Sequence, residues 1–264
     1  MRQTVAVGDL NISFERYGSG VPFIWGHGLT SSVQLEPELL NINWASVYEI
    51  ADVIRYDARG HGLSTLTDDL EGYSWRRLAS DQLALADALG VGRYIAGGAS
   101  MGAGTALHAA VAAPDRIEGL VLVIPPTAWD TRDAQRELYI ERAQHIAEGK
   151  IDEVIAASRR LDPPDPFGDE WYRRIERNTR SADHHQMAHV LRGAATADLP
   201  DRDSIAAIRV PTLILAWSGD AGHPLSTAEE LRALISNSNL LVASTPRQLL
   251  DWSSNIVEFV TSFR

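Results

Sequence analysis

The chain has 264 residues, 45% of them hydrophobic, which is enough for one large α/β domain with an insertion. The formal charge of −11, from 24 basic and 35 acidic residues, excludes nucleic acid and anionic membrane as natural partners. Cysteine is absent, so disulfides, thiolate catalysis and Cys-based zinc sites are excluded too.

Taken in chain order, Thr4 to Val7 and Asn11 to Tyr17 alternate around Gly8-Asp9 and predict an antiparallel hairpin. Pro22 to Trp25 predicts a short buried strand ending at His27-Gly28-Leu29. Glu36 to Ile50 reads as a helix, Val53 to Tyr56 as a strand, and Ser74 to Leu89 as a helix with Leu78, Leu85 and Leu89 near one face. Tyr94 to Ala96 is a strand, Met101 to Ala113 a helix of small residues, and Ile117 to Ile124 an apolar strand stopped by Pro125-Pro126. After a long interval come a strand at Thr212 to Ala216, a helix at Thr227 to Ile235, a strand at Leu240 to Ala243 and a closing helix at Pro246 to Phe263. Alternating strands and helices imply a mostly parallel sheet covered on both faces, with its site at the carboxyl ends of the strands.

Residues 127 to 207 break that rhythm. The segment is rich in charge and helix formers, at Arg132 to Gly149, Ile151 to Arg160, Trp171 to Arg180 and His184 to Arg192, with a proline-dense loop at 162 to 166. It is expected to be a helical lid inserted into a core made of residues 1–126 and 208–264, covering the site and shaping a substrate pocket. The first residues, M-R-Q-T-V-A-V-G-D-L, lack the apolar stretch of a secretory leader. No apolar run reaches the length of a membrane span. A cytoplasmic protein with a small-molecule substrate is expected; the sequence is silent on oligomeric state.

The most informative segment is G-G-A-S-M-G, Gly97 to Gly102, between a strand and a helix. A serine in that turn projects its hydroxyl away from the sheet, glycines on either side permit close backbone approach, and the helix N-terminus presents free N–H groups to the same place. Ser100 is therefore the candidate nucleophile. The N–H of Met101 is a candidate oxyanion donor, and the loop H-G-L-T offers that of Leu29 as the second.

H-G-L at 27 to 29, Y-D-A-R-G-H-G-L-S at 56 to 64, G-A-S-M-G at 98 to 102 and W-S-G-D-A-G-H-P at 217 to 224 together resemble the α/β-hydrolase superfamily along nearly the whole chain. The wording is most similar to the branch holding 3-oxoadipate enol-lactonases, small carboxylesterases and cofactor-free haloperoxidases. The resemblance implies an eight-stranded, mostly parallel sheet with helices on both faces and a helical lid. It also implies a serine hydrolase of an ester or lactone that needs no cofactor and no metal. It assigns Ser100 as nucleophile, Leu29 and Met101 as oxyanion donors, and Asp220 as triad acid, although an aspartate beside Gly219 also serves as a loop cap. The family usually carries glycine where Trp217 stands. Asp57, Arg59 and His61 correspond to a structural turn, and His27 to a support of the oxyanion loop.

One departure matters. The family's general base is a histidine after the last core strand, where this chain reads S-T-P-R-Q-L-L-D-W, and no histidine follows His223. A serine without an adjacent base is a weak nucleophile. Three possibilities are open. His223, three residues beyond Asp220, can be recruited as base. The lid can supply one from His184, His185 or His189, of which the last two share a helix face. Or there is no base, Asp220 turning to Arg247, Ser244 or Thr245, and the fold serves as a lyase, a cyclase or a ligand-binding receptor. His108 is expected to be hydrogen-bonded within the core and His145 to be exposed. Trp25, His27, Trp129 and Trp217 are candidate walls of an aromatic, largely apolar pocket. The expected function is hydrolysis of a small to medium, mainly apolar carboxylic ester or lactone through an acyl-enzyme on Ser100.

Overall fold

A computed structural model of the chain describes residues 1–40 and 42–264. Eight strands form one sheet: β1 (Gln3–Val7), β2 (Leu10–Gly18), β3 (Val21–Gly26), β4 (Ala51–Tyr56), β5 (Tyr94–Ala99), β6 (Ile117–Val123), β7 (Thr212–Trp217) and β8 (Ser238–Ala243). Their order is β1-β2-β4-β3-β5-β6-β7-β8. The β1–β2 and β2–β4 pairs are antiparallel and all others parallel. The predicted hairpin turns at Gly8, which adopts φ +60°.

Burial on both faces explains why the parallel strands read as apolar runs. Successive side chains point to opposite sides. Ile24, Ile54, Ala96, Leu120, Leu122 and Ile214 pack on one face with α3 (Trp75–Ala88), α4 (Met101–Ala112) and α10 (Leu225–Leu234). Phe23, Trp25, Val53, Ile95, Val121 and Leu215 pack on the other with α2 (Trp44–Tyr48) and α12 (Trp252–Thr261).

Two predicted helices prove to be broken. The span Glu36 to Ile50 holds α1 (Glu36–Leu40) and α2, separated by non-helical Ile42 and Asn43, while Asn41 lies outside the described residues. The closing helix divides into α11 (Pro246–Leu250) and α12 at Asp251. A capping box starts α11: Gln248 N–H reaches Thr245 Oγ1 while Gln248 Oε1 accepts from the Thr245 N–H at 3.1 Å.

Between adjacent strands β6 and β7 run α5 (Arg132–Ala147), α6 (Ile151–Ser158), α7 (Glu170–Ser181), α8 (His184–Ala194) and α9 (Arg202–Ala206). Helices α5, α6 and α8 carry a small core of their own, Ala143, Ile146, Val154, Met187, Ala188 and Leu191, against which Leu29 packs. Arg132 joins this layer to the body of the molecule. Its fully buried guanidinium donates to Ala197 O at 2.6 Å, Ala194 O at 2.7 Å and Thr127 Oγ1 at 3.2 Å, and it stacks 4.4 Å over the Trp75 ring. The cation thereby sits at the carboxyl end of α8, the favourable pole of the helix.

Candidate active site

Ser100 is the first residue after β5 and the N-cap of α4, at φ 51° and ψ −108°. A non-glycine residue there is strained, and the surroundings enforce it. The Ser100 N–H donates to Val123 O at 2.9 Å and Ser100 O accepts the Gly104 N–H at 3.0 Å. A Cβ on Gly102 would lie 2.0 Å from Gly26 O, and one on Gly98 would lie 2.4 Å from the Gly102 carbonyl carbon. The helix can therefore press against β3 only because both positions lack side chains.

Beside this turn lies the loop after β3. A Cβ on Gly28 would touch Ser100 Cβ at 3.7 Å, so loop and elbow are in contact. Two buried histidines hold the loop. The Ala58 N–H donates to His27 Nε2 at 3.0 Å, so the His27 proton sits on Nδ1 and is donated to Gly28 O at 2.7 Å. In the same way the Thr30 N–H donates to His61 Nε2 at 3.3 Å and His61 Nδ1–H donates to Arg59 O at 2.9 Å. Burial pushes His27 down to about 4 and His61 down to about 3, so both are neutral structural pins. The turn between them is fixed by Asp57, which accepts from the Val33 and Leu63 N–H groups at 2.9 Å each, and by a bidentate Arg59–Asp81 pair at 2.9 and 2.8 Å.

The loop after β7 brings the remaining groups to the serine. His223 Nε2 lies 2.9 Å from Ser100 Oγ, and His223 Nδ1 lies 2.7 Å from Asp220 Oδ2. Asp220 Oδ2 also accepts from Trp217 Nε1–H at 2.8 Å, and Oδ1 accepts from the Gly222 N–H at 2.8 Å. Burial pushes this carboxyl upward, but the charge and hydrogen bond of His223, with the Trp217 and Gly222 donors, outweigh it and bring Asp220 down to about 2. Trp217 is itself clamped, stacked on Trp252 at 5.9 Å and met edge-on by Phe167 at 5.2 Å and His223 at 6.0 Å.

The segment where the family's histidine is expected does something else. Ser244 and Thr245 donate to Gln248 in the α11 cap and make no hydrogen bond to Asp220 among the described residues. The histidines of α8 do not reach the serine either. His184 is hydrogen-bonded to Thr179 O at 3.0 Å, and His189 lies 3.5 Å from Asp68 with its ring beside that of His185. His108 bonds Asp198 O at 2.9 Å, on the far side of α4.

Ser100 opens into a cavity of about 380 Å³, a size suited to a small ligand. Its walls come from both layers: Gly28, Leu29, Ser100, Ile124, Trp217, Asp220 and His223 from the body, and Leu138, Tyr139, Arg142, Trp171 and Asn178 from the helices above. Of the four expected wall residues, only Trp217 lines it. Trp25 is buried beneath, donating to Glu36 Oε2 at 2.8 Å, because its place on β3 turns it into the face packed by α2. His27 is spent on the loop described above. Trp129 turns away to donate to Pro200 O at 3.0 Å, with Arg202 stacked on its ring. His145, expected to be exposed, is half-buried in the cavity wall.

Three wall residues escaped the sequence reading. Glu36 is 2% exposed, its Oε1 has no partner among the described residues, and burial pushes its carboxyl up to about 7. Arg142 and Asn178 face the cavity from α5 and α7. A signal for Arg142 existed: Leu138, Arg142 and His145 recur at four- and three-residue spacing, one stripe of α5. Among the described residues no group of three metal-ligating side chains occurs, and no helix is long and apolar enough to cross a membrane.

A strained serine after a central parallel strand, with a hydrogen-bonded histidine and aspartate from a later strand's loop, defines a class. A family profile described as the alpha/beta hydrolase fold matches residues 21–247, and the chain belongs to that family of hydrolases. It is 28% identical to 3-oxoadipate enol-lactonase 1 of Acinetobacter baylyi over 180 residues, 67% of this chain and 64% of that enzyme. It is 35% identical to N-formylmaleamate deformylase of Pseudomonas putida over 135 residues, 49% of this chain and 47% of that one. The matched stretches thus span less than two thirds of these relatives. The fold is also that of the enol-lactonase from Burkholderia xenovorans LB400, with TM-score 0.77, 21% identity and 99% of each chain covered.

Proposed function

We propose that the protein is a serine hydrolase of a carboxylic ester or lactone, working through an acyl-enzyme on Ser100 with His223 as base and Asp220 as its orienting acid. The observation that carries this reading is the unbroken relay from Ser100 Oγ to His223 Nε2 at 2.9 Å and from His223 Nδ1 to Asp220 Oδ2 at 2.7 Å. A carboxylate on Nδ1 keeps the proton there and leaves Nε2 free to accept.

Ser100 Oγ attacks the substrate carbonyl as its proton passes to His223 Nε2, and Asp220 stabilises the imidazolium that results. The tetrahedral oxyanion is received by the N–H groups of Leu29 and Met101. Among the described residues the Leu29 N–H makes no other hydrogen bond, and Met101 begins α4, where N–H groups have no partner within the helix. His223 returns the proton to the departing alkoxide. A water then attacks the acyl ester with His223 again as base, which releases the acid and restores the serine. The helices of residues 127–207 act as a lid that keeps bulk water from this sequence.

A fluorophosphonate probe is expected to label the protein at Ser100, and Ser100→Ala to abolish labelling. His223→Ala is expected to lower turnover of a p-nitrophenyl ester by about 10²–10⁴. Unchanged turnover in that variant would remove His223 from the mechanism. Absence of both labelling and turnover in the native protein would point instead to a receptor or a lyase.

A further inference from the structure

Helix α5 places a cation in the cavity wall that has no ion-pair partner among the described residues. Arg142 lines the cavity from α5, and its only hydrogen bond among the described residues is a long one, from Nη2 to Thr179 Oγ1 at 3.4 Å. Its Nε–H is sealed from solvent and has no partner among the described residues. Asn178 lines the same cavity, and its Oδ1 is equally sealed and has no partner among the described residues. Buried donors without acceptors are costly, and a guanidinium stays charged even where burial pulls against it. Other arginines of the lid do have carboxylate partners, as Arg180 has Asp152 at 2.8 Å and Arg159 has Glu176 at 2.6 Å. Arg142 makes no ion pair with any described residue, and Glu141 and Asp162, which also line the cavity, are exposed to water.

We infer that Arg142 and Asn178 form an anion subsite for the substrate, so that the ester or lactone cleaved at Ser100 carries a free carboxylate on its chain. A planar guanidinium carries several N–H donors and can pair with two carboxylate oxygens at once. The Asn178 amide can turn its NH₂ toward the same group. The remaining wall, with Leu138, Tyr139, Trp171 and Ile124, suits the methylenes between the two ends. Glu36 does not oppose this with a full charge near neutral pH, because its burial draws it toward the protonated form. The inference rests on the proposed hydrolysis for the identity of the reacting end, but the subsite itself is tested by binding.

Adipate titrated into the Ser100→Ala protein is expected to quench the fluorescence of Trp171 and Trp217 saturably. Arg142→Gln is expected to weaken that binding about 10- to 100-fold, and Arg142→Lys to weaken it less. In the active protein, the ratio of kcat/KM for mono-p-nitrophenyl adipate over p-nitrophenyl hexanoate should fall at least tenfold on Arg142→Gln. Thermal melts check that each variant is folded. If Arg142→Gln does not fold, Asn178→Asp takes its place and should weaken adipate binding through like charge. No saturable quenching, or weakening of less than fivefold in the folded variant, overturns the subsite. Adipate binding that depends on Arg142 in a protein that hydrolyses neither ester would leave the subsite standing and count against the triad alone.

Discussion

Asp220 Oδ2 accepts two donors at once, from His223 and from Trp217, at 2.7 and 2.8 Å. The indole N–H thus fixes the oxygen on which the histidine is oriented, a duty that the glycine usual at this position in the family cannot perform. Trp217→Phe keeps much of the aromatic clamp but loses that N–H. It is expected to lower kcat about tenfold, the worth of one hydrogen bond to a charged group, with most of the loss in kcat and little in KM. Fluorophosphonate labelling should slow in parallel, and an unchanged labelling rate would make Trp217 a packing residue only. At this scale the sequence was partly readable. Ser100 stands out because glycines and a strand–helix junction surround it within six residues, and Asp220 and His223 are three residues apart on one loop. The roles of Trp25 and Trp129 were not readable, because which way a tryptophan turns depends on helices far away in the chain.

Among the elements, the close approach of α4 to β3 is the contact on which the elbow depends. Gly102→Ala would place a methyl 2.0 Å from Gly26 O, where only backbone movement can relieve the overlap. We expect a loss of roughly 3 kcal/mol, or about 6–12 °C in Tm, together with a weakened serine. A change under about 2 °C in a thermal melt would mean that the approach is not needed. The insertion hangs on a different element contact. Arg132→Met would leave the Ala194 and Ala197 carbonyls without their buried donor, at a cost of roughly 2–4 kcal/mol. Hydrogen exchange is expected to quicken in α8 and α5 before the sheet is affected; uniform quickening would show that the insertion does not open independently. The existence of these helices follows from their composition and periodicity. The breaks within residues 36–50 and at Asp251 do not, because they are set by the body against which each short helix is laid.

For the whole molecule, three fully buried titrating groups bear on the response to acid between pH 7 and pH 5. His27 and His61 have folded pKa values below the ordinary 6.5, so the unfolded chain binds more protons than the folded one between about pH 6.5 and 4. Stability therefore falls as pH drops through that window, by about 2 kcal/mol per histidine from pH 7 to pH 5. Glu36 works in the opposite sense. Its folded pKa of about 7 lies above the ordinary 4.5, so its contribution is greatest at low pH and is lost as pH rises toward 7. It offsets about 2 kcal/mol of the histidine effect over the same interval. Glu36→Gln removes that offset, and the fall in Tm from pH 7 to pH 5 should be larger in the variant than in the native protein. An equal fall would show that Glu36 is ionised on both sides of the window.

Local chemistry is what the order of amino acids determined unaided. Runs of small and β-branched residues make strands of the parallel sheet, G-G-A-S-M-G makes a strained serine turn, and the missing histidine after β8 forbids the usual triad. Only tertiary structure decided which imidazole comes to Ser100. A base is chosen by distances of a few ångströms between loops 120 residues apart in the chain, and those distances depend on how β5 and β7 are spaced across the sheet. The unbalanced guanidinium of Arg142 is likewise invisible in one dimension, because an arginine lacks a partner only with respect to everything that folding brings around it.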